Sequence, residues 1–545
     1  MMMNGDVISC AGSCRILVVV GGRELSLNCL VTNLLPGYDM LLGMDVISLL
    51  GGVTISDDGS VSFPSLVSAA AQVQSSVEIK DEDFVASFSR GRWEVEWNWK
   101  SDSTHPLELG NKVSQYKVPA NVKPEFDAEV TEWIQKGWLR PFEGECRGII
   151  PLMAVIQHNK NKVRPVLDYR ELNQYISSHT GQSEVCGERL RCWRQMGANV
   201  KLLDLRKAYL QVHVAEKLWG YQVVRFKGRN YCLTRLGFGL NVAPKIMSAI
   251  VHKVLSLDSD IAKGTDSYID DIIVNEDVVS CEKVKRFLSD FGLESKPEEP
   301  LSGGRVLGLR IYQRDNSVMW KRDNLVEEVG SCMTKRDVFS ICGQLVGHFP
   351  VCGWLRLDCS FIKRCLNDAK WDEQVGEKVI NLVRDVMTQV AKGDPVKGKW
   401  CVNNSGSGRV WCDASSLAIG VCLEIDGAIV EDSTWLRKQR DGAHINLAEL
   451  EAVIKGINLA IKWKLCDIKL MTDSGTVYHW VNSLLTNDRR IRTHGLAEAL
   501  VHRRLNLLSD LLNEGTISLS IYQVKSHENK ADPLTRVPKR WLQNQ

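Results

Sequence analysis

The sequence predicts a multidomain protein in which an α+β part is followed by an α/β part. The chain has 545 residues, enough for about three or four domains at ~150 residues each. Hydrophobic residues make up 44% and charged residues 25%, ordinary values that exclude disorder, collagen and coiled coil for the whole chain. Short strand-like and helical runs alternate to about residue 311, and a strand, strand, helix, strand, helix pattern restarts at Gly408.

Charge, cysteine content and the length of apolar runs argue against three classes of protein: a globally basic nucleic-acid binder, a secreted disulfide scaffold and a membrane-spanning protein. The net formal charge is only +2, so a nucleic-acid partner would need a local basic channel, because phosphate contacts dominate such affinity. The 17 cysteines are scattered without a C-x-x-C pair, which predicts reduced thiols in an intracellular protein. No stretch approaches the ~20 apolar residues of a membrane span, so we expect no membrane partner.

The N-terminal part is expected to be β-rich over residues 1–60 and to continue into a linker over residues 61–104. The linker is predicted from a shift to Ser, Ala and charged residues. Trp93, Trp97 and Trp99 are spaced neither as one helix face nor as a clean strand. We expect these rings to pack against the next domain rather than to stack on bases.

Three carboxylates stand at the ends of apolar strands within residues 105–311. One strand ends in Asp204, and a second is broken by Asp270 and Asp271 before it resumes, as in a hairpin whose turn presents carboxylates. Adjacent acids repel each other and lose hydration, and a divalent cation removes both costs. Together these acids would hold two Mg²⁺ for in-line phosphoryl transfer. The alternative is an ordinary polar Asp-Asp turn.

Six short motifs follow one another in this region. They are V-R-P-V-L-D-Y-R-E-L-N at 163–173, L-D-L-R-K-A-Y at 203–209, L-G-F-G-L-N-V-A-P at 236–244, Y-I-D-D at 268–271, F-G-L-E-S-K at 291–296 and V-L-G-L-R-I at 306–311. In this order they resemble the reverse transcriptase of LTR retrotransposons. The resemblance implies a polymerase right hand, with fingers and palm over 105–311 and thumb and connection over 312–400. It makes Asp204 and Asp270 the main metal ligands and Asp271 the third acid.

The same resemblance implies a nucleotide-binding site. Arg164 would clamp the triphosphate, and Tyr209 would stand against the sugar 2′ position and favour deoxynucleotides. Phe238 and Gly239 would lie under the nucleotide, and Lys296 would protonate the leaving pyrophosphate. The simpler alternatives are a surface Arg and Lys, a core tyrosine and a glycine turn.

Two positions depart from the family pattern. Gly237 stands where the family usually has proline, which would loosen that loop. The adjacent lysines usual in the fingers are absent, so triphosphate binding would depend on Lys160 or Lys162.

Four further acids punctuate predicted strands and helices within residues 401–540. Asp413 and Asp473 end apolar strands, Glu449 lies in a helical run, and Asp532 follows in the segment S-H-E-N-K-A-D-P-L-T-R at 526–536. Four acids at one edge of a sheet would hold two metal ions for phosphodiester hydrolysis. Residues 405–538 resemble the retroelement RNase H domain, in which these four positions are the catalytic metal ligands.

Two other residues and one alternative motif lie near these acids. We expect Glu451 to be solvated on another side of its helix, and His527 to be a surface residue rather than a participant in the reaction. Asp473-Ser-Gly also matches an aspartic protease half-site. The run at 476–481 is helical in pattern, whereas the protease motif continues into a turn and a strand, so the nuclease interpretation is preferred.

The two ends of the sequence suggest a piece of a polyprotein. Residues 33–47 resemble the C-terminal part of a retropepsin, in which Asp45 is structural, and no Asp-Thr-Gly or Asp-Ser-Gly precedes them. We therefore expect the chain to begin inside a protease and to lack proteolytic activity. Residues 334–340 and 353–356 resemble the connection region of BEL- and gypsy-type elements. No zinc motif or integrase pattern follows the nuclease-like region.

These observations predict an RNA-directed DNA polymerase with a fused ribonuclease H, within a gypsy- or BEL-like retrotransposon Pol polyprotein. The expected partners are an RNA template, a DNA primer, an RNA/DNA hybrid and dNTPs, and the expected cofactors are two Mg²⁺ or Mn²⁺ ions per active site. We expect an intracellular location, cytoplasmic or in particles with access to the nucleus. The alternative is a decayed or domesticated copy that binds nucleic acid without catalysis. The oligomeric state stays open.

Overall fold

The computed structural model of the protein describes residues 77–100, 108–110, 115–157, 162–177, 185–324, 329–330, 332–402, 406–438, 444–486 and 498–542, with the backbone of short strands before residue 63. The retropepsin-like motif at 33–47, with Asp45, and Lys160 lie outside the described residues. The chain divides into two compact units. The first comprises Met1–Ser178, Lys207–Ile246 and Arg286–Glu294, and the second comprises His179–Arg206, Met247–Lys285 and Ser295–Gln545.

The structure contains both strands and helices throughout the described chain. The strands are β1 (Met2–Met3), β2 (Asp6–Val7), β3 (Gly12–Val20), β4 (Arg23–Val31), β5 (Thr54–Ile55), β6 (Val61–Ser62), β7 (Val77–Lys80), β8 (Phe84–Ser89), β9 (Arg92–Trp97), β10 (Leu139–Pro141), β11 (Leu152–Gln157), β12 (Lys162–Leu167), β13 (Val200–Asp204), β14 (His213–Val214), β15 (Val223–Phe226), β16 (Arg229–Leu233), β17 (Thr265–Tyr268), β18 (Asp271–Asn275), β19 (Glu299–Pro300), β20 (Arg305–Val306), β21 (Leu309–Arg314), β22 (Ser317–Arg322), β23 (Lys397–Lys399), β24 (Ser407–Ala414), β25 (Ala418–Ile425), β26 (Ala428–Leu436), β27 (Asp467–Thr472) and β28 (Ser518–Gln523). The helices are α1 (Lys123–Gln135), α2 (Val185–Gln195), α3 (Ala243–Ser256), α4 (Ser259–Gly264), α5 (Cys281–Asp290), α6 (Lys335–Val346), α7 (Trp354–Arg364), α8 (Glu377–Lys392), α9 (Ile445–Lys462), α10 (Gly475–Leu485), α11 (Glu498–Glu514) and α12 (Lys539–Leu542).

In the first unit, part of the predicted linker is an ordered sheet. Strands β7, β8 and β9 pair antiparallel, and β9 also pairs parallel with β14. Trp93, Val95 and Trp97 of β9 are each 1% exposed, because alternate residues of a strand point to the same face. The expectation that the tryptophan spacing fits no clean strand was therefore wrong. The burial of Trp93 and Trp97 within the protein agrees with the expectation that these rings pack against protein and do not stack on bases.

The first unit also contains a three-stranded sheet in the order β10-β16-β15 and the hairpin β11–β12. Proline enters α1 in its first turn, where the missing N–H costs nothing. Phe126, Val130 and Trp133 then form its buried face. This helix packs on β12, so the strand that carries Arg164 has a rigid support.

In the second unit, the predicted polymerase carboxylates belong to a four-stranded sheet in the order β17-β18-β13-β19. A separate sheet β20-β21-β22-β23 follows, and residues 335–392 contain the helices α6, α7 and α8. Helix α6 begins with a capping box between Thr334 and Asp337, which satisfies N–H groups that the first turn leaves free.

The last part of the second unit is a five-stranded sheet in the order β26-β25-β24-β27-β28. Strands β24, β25 and β26 are antiparallel, whereas β27 and β28 add parallel to β24. Gly456 lets α9 lie close against the sheet, since a Cβ there would come within 2.4 Å of Val410. Among the described residues, no helix is long and apolar enough to cross a membrane.

Candidate active sites

The hairpin that carries Asp270 and Asp271 lies beside the strand that ends in Asp204. Strand β18 begins at Asp271 and pairs with both β17 and β13, so that Asp204 is opposite Asp271 in the register. The Leu205 N–H donates to the Asp270 carbonyl oxygen at 3.3 Å. The predicted hairpin is therefore present, and its two acids lie beside Asp204 at one end of the sheet.

A lysine balances part of the negative charge in this group. Lys296 Nζ lies 2.5 Å from Asp204 Oδ2, and the Lys296 N–H donates to the Asp204 carbonyl oxygen at 2.8 Å. Desolvation, followed by the charges of Asp270 and Asp204, raises the pKa of Asp271 to about 6, and Lys296 opposes this. Asp271 itself is exposed to solvent. A cation bound here would relieve that repulsion.

The turn of this hairpin has an unusual backbone. Tyr268 pairs with Asp271 across it, and Ile269 has a φ of 59°, a left-handed conformation that is rare for a β-branched residue. Such conformations persist only where the surroundings hold them, and they cluster at functional sites.

Three of the predicted nucleotide-binding side chains meet in the first unit. The rings of Tyr209 and Phe238 lie edge to face with centroids 5.0 Å apart. Arg164 Cζ lies 5.2 Å from the centre of the Phe238 ring, a cation–π distance. Gly239 adjoins Phe238 with φ +96°, a conformation that favours glycine. Lys296, the fifth predicted residue, belongs to the second unit, where it pairs with Asp204.

The loop that holds Phe238 is fixed by residues of the 163–173 motif. Asn173 Nδ2 donates to the Gly239 carbonyl oxygen at 2.9 Å, and Asn173 Oδ1 accepts from the Asn241 N–H at 2.8 Å. A Cβ at Gly237 would come within 2.1 Å of the Tyr169 hydroxyl oxygen. Glycine at 237 therefore leaves room for the buried Tyr169 ring. The ring fills the space next to the glycine, so replacing the family's proline does not give the loose loop that was expected.

The second group of acids converges at one edge of the five-stranded sheet. Strands β24 and β27 are parallel neighbours with Cys412 opposite Thr472, so Asp413 and Asp473 follow at the same end. Glu449 reaches them from α9. One ligand oxygen of each of these three acids lies within 4.8 Å of the other two. Among the residues that the structure describes, these three acids are the group whose spacing could hold a metal ion.

Burial makes this group electrostatically costly. Asp413 is 3% and Glu449 8% exposed. Burial, followed by the charges of Asp413 and Asp473, raises the pKa of Glu449 to about 8, while a hydrogen bond from the Ala414 backbone opposes it. Glu449 Oε2 is buried without a hydrogen-bond partner among the described residues. Three carboxylates and an unsatisfied buried oxygen fit a hard divalent cation such as Mg²⁺ or Mn²⁺.

The fourth predicted acid, Asp532, stands beside this group but not within it. It opens a short 3₁₀ helix, Asp532–Leu534, and Arg536 Nη2 lies 2.5 Å from its Oδ1. Burial, followed by the charges of Asp473 and Asp532, raises the pKa of Asp413, and the hydrogen bond from Thr535 opposes this. Asp532 is thus near enough to act on the other acids while its side chain pairs with an arginine.

Sequence reasoning missed three neutral residues that bind these acids. Thr535 donates from its hydroxyl to Asp413, and Ser526 donates to Asp473. Asn529 Nδ2 donates to Asp473 Oδ1 at 3.1 Å and to the Cys412 carbonyl oxygen at 2.9 Å. All three lie in the 526–536 segment, where the sequence pointed only to Asp532 and His527. Hydroxyl and amide groups clustered around a predicted ligand are the signal that could have identified them.

The helix after Asp473 and two titratable residues nearby, His527 and Glu451, lie outside the carboxylate group. Residues 475–485 form helix α10 with Ser474 as its N-cap, which confirms the helix after Asp473-Ser-Gly. His527 is exposed, with 74% of its side chain accessible. Glu451 faces Lys455 and Arg504, at 3.6 and 3.9 Å, so it is engaged by surface cations and not by the acid group.

Sequence comparison identifies two matched regions. Residues 413–502 match a family described as reverse transcriptase-like, and residues 334–392 match a domain of unknown function, DUF7047. The retrovirus-related Pol polyprotein from transposon opus of Drosophila melanogaster is 28% identical over 169 residues. That stretch is 30% of this chain and 16% of the relative, so the match covers a small part of that polyprotein.

Comparison with solved structures identifies the fold. The foamy viral protease-reverse transcriptase dRH in complex with double-stranded DNA has a TM-score of 0.57 at 15% identity, over 95% of this chain and 93% of that chain. The foamy viral protease-reverse transcriptase in complex with an RNA/DNA hybrid has a TM-score of 0.53 at 14% identity, over 98% of this chain and 73% of that chain. The fold and the sequence matches together support a retroelement Pol protein with a reverse transcriptase-like, RNase H-like domain.

Proposed function

We propose that this chain is an RNA-directed DNA polymerase with a fused ribonuclease H, belonging to a gypsy- or BEL-like retrotransposon Pol polyprotein. The observation that carries the proposal is the presence of two carboxylate groups in one chain. One is the hairpin acids Asp270 and Asp271 beside Asp204, and the other is the buried group of Asp413, Glu449 and Asp473.

In the polymerase reaction, Asp204, Asp270 and Asp271 would hold two Mg²⁺ or Mn²⁺ ions. Bound there, the ions would supply Lewis-acid stabilisation for in-line attack of a primer 3′-OH on the α-phosphate of a dNTP. Lys296 is held at the group by Asp204, and on ligand binding it would be released toward the pyrophosphate.

Nucleotide selection would depend on the cluster in the first unit. Arg164 would contact the triphosphate, because a guanidinium fits phosphate oxygens. Tyr209, held edge to face by Phe238, would exclude a ribose 2′-OH. Gly239 would permit close approach of the backbone to the nucleotide.

In the nuclease reaction, Asp413, Glu449, Asp473 and Asp532 would hold the metal pair and cleave RNA within a hybrid. The buried acids give a negative site with an unsatisfied Glu449 oxygen, which favours divalent cations. Asp532 is paired with Arg536, and a second ion would compete with that arginine. Asp532 would then join the group on loading.

Template, primer and hybrid are the proposed partners. Support comes from the related folds, since the foamy viral structures are complexes with double-stranded DNA and with an RNA/DNA hybrid. Recognition would follow backbone shape and not sequence. The proposed organisation is a retropepsin-like segment at 1–60, a linker at 61–104, fingers and palm at 105–311, thumb and connection at 312–400 and RNase H at 401–540, in an intracellular protein.

The proposal is tested by assaying both reactions on the full chain. Primer extension on an RNA template and RNA cleavage in a hybrid are measured with dNTPs and Mg²⁺ or Mn²⁺. The double variant Asp270→Asn/Asp271→Asn should abolish extension and retain cleavage, and Asp473→Asn should do the reverse. EDTA should abolish both reactions.

Matched controls use exposed acids outside both groups. Asp260→Asn and Asp510→Asn remove one surface carboxylate each and should leave both reactions at the wild-type rate. Hybrid binding by a folded wild-type protein without extension or cleavage in either metal would refute the proposal. That result would favour a domesticated copy that binds nucleic acid without catalysis.

A further inference from the structure

The segment after β28 lies over the strand pair β24–β25 and delivers a buried hydroxyl to the nuclease-like site. Thr535 is 0% exposed, and its hydroxyl donates to Asp413 Oδ2. Thr535 Oγ1 also lies 3.0 Å from the Asp532 carbonyl oxygen. A hydroxyl has one proton, and a carboxylate is the stronger acceptor, so the proton goes to Asp413. One of the two Asp413 oxygens is therefore held by the protein.

Several contacts fix this segment on the sheet. Ser415 Oγ donates to the Thr535 carbonyl oxygen at 2.7 Å, and Thr434 Oγ1 donates to the Leu534 carbonyl oxygen at 3.1 Å. Lys530 pairs with the buried Glu424 at 2.9 Å. These contacts come from three neighbouring strands or their turns, so the Thr535 hydroxyl is held in place by the sheet that also carries Asp413.

A glycine makes room for this arrangement. Gly420 of β25 is directly opposite Asp413. A Cβ at that position would lie 2.7 Å from Leu534 Cβ and 2.8 Å from Thr535 Cγ2, below ordinary van der Waals contact. The segment can approach the strand pair only because no side chain stands at Gly420.

We propose that Thr535 is a positioning residue of the nuclease site, which orients Asp413 toward the space it shares with Glu449 and Asp473. The inference rests on the proposed ribonuclease function. Asp413 is buried among like charges, and without the hydroxyl its carboxylate could rotate away from them. Partners of ligating carboxylates typically contribute 10–100-fold to metal affinity or activity. Because Thr535 is fully buried, it acts through Asp413 and not on the hybrid.

The test uses the full chain carrying Asp270→Asn/Asp271→Asn, so that Mn²⁺ binding reports on the nuclease site. Thr535→Val keeps the shape of the side chain and removes the hydroxyl, and Thr535→Ser keeps the hydroxyl. Mn²⁺ affinity is measured by electron paramagnetic resonance, and kcat and KM are measured for RNA cleavage in a hybrid. Thr535→Val should weaken Mn²⁺ binding about 10-fold or more and lower kcat, with KM for the hybrid unchanged. Thr535→Ser should restore both.

Several outcomes would overturn the proposal. The proposal fails if Thr535→Val binds Mn²⁺ as tightly as the wild type. It also fails if Thr535→Ser and Thr535→Val lose Mn²⁺ affinity and cleavage equally, because the hydroxyl would then not be responsible. Should Thr535→Val fail to fold, Gly420→Ala displaces the same segment from another strand and should weaken Mn²⁺ binding likewise. Absence of cleavage by the protein with Thr535 intact would refute the ribonuclease function alone, since Mn²⁺ binding still decides the role of Thr535.

Discussion

Arg191 of helix α2 and Glu431 of strand β26 form an ion pair through two hydrogen bonds, 2.8 Å from Nε to Oε2 and 2.9 Å from Nη2 to Oε1. The residues are 240 positions apart, and both side chains are largely buried. Arg194 of the same helix is 0% exposed and donates to the Val430 carbonyl oxygen at 2.7 Å. Helix α2 is therefore attached to the edge of the five-stranded sheet.

The same helix contacts the strand that leads to the predicted polymerase acids. Arg189 Nη1 lies 2.5 Å from Asp266 Oδ1, and Trp193 Nε1 donates to Asp266 Oδ2 at 2.7 Å. Asp266 lies on β17, which ends at Tyr268 directly before the hairpin turn. A single helix thus contacts one strand of each of the two sheets that carry the candidate sites of the second unit.

Breaking the Arg191–Glu431 pair should destabilise the second unit. Arg191→Met leaves Glu431 buried without its cation, which we expect to lower the free energy of unfolding by about 2–4 kcal/mol. Urea denaturation measures this change. Adding Glu431→Gln, which still accepts from Trp463, should recover part of the loss. An Arg191→Met protein as stable as wild type would contradict the prediction.

Divalent cations should stabilise the folded protein. The buried acids Asp413 and Glu449 repel each other, and Glu449 Oε2 lacks a partner among the described residues, so a cation that binds the folded state adds stability. At ten times its dissociation constant the gain is about 1.4 kcal/mol. Thermal unfolding with and without Mg²⁺ measures it. The gain should shrink in Asp473→Asn and persist in Asp510→Asn, and equal shifts in both variants would argue against this site.

Tyr209 should control sugar selection. Its ring is held edge to face by Phe238, and Tyr209→Val removes the bulk that would meet a 2′-OH. We expect the preference for dNTPs over ribonucleotides to fall roughly tenfold or more, as measured by the two kcat/KM values for primer extension. Tyr209→Phe keeps the ring and should retain the preference. Unchanged selectivity in Tyr209→Val would assign the residue to the core.

Gly237 should tolerate no side chain while Tyr169 is present. A Cβ at 237 would come within 2.6 Å of Tyr169 Cζ and within 2.1 Å of its hydroxyl oxygen, and that hydroxyl donates to Gln222 at 2.7 Å in the interior. Gly237→Ala should therefore cost about 1–3 kcal/mol of unfolding free energy. The cost should be smaller in a Tyr169→Leu background, and additive effects in the double variant would contradict the steric coupling.

Asp358 should make stability depend on pH. It is 2% exposed, its Oδ1 lacks a partner among the described residues, and burial raises its pKa to about 7. The folded state binds this proton more tightly than the unfolded chain does. The stability that protonated Asp358 provides is therefore fully present below about pH 4 and is lost as the pH rises to about 7. Asp358→Asn should match wild type near pH 4 and exceed it by about 2–4 kcal/mol at pH 8. Parallel pH curves would contradict this.

Much of the architecture followed from local sequence patterns. The alternation of apolar residues and the acids that interrupt it predicted β13, the hairpin at 268–271 and the strands that end near Asp413 and Asp473, because a strand and its turn depend on neighbouring residues. The helix after Asp473-Ser-Gly was predicted in the same way. The roles assigned to these acids as metal ligands remain predictions.

Contacts between distant segments were decided by the tertiary structure alone. No local periodicity relates Arg191 to Glu431 or Thr535 to Asp413, which meet only because strands and helices far apart in the chain pack together. The same holds for Gly237, whose neighbour Tyr169 lies in another motif. The sequence by itself determined which residues can carry the chemistry, whereas packing determined which neutral groups hold them, because hydrogen bonds and steric contacts depend on distances that residue order does not specify.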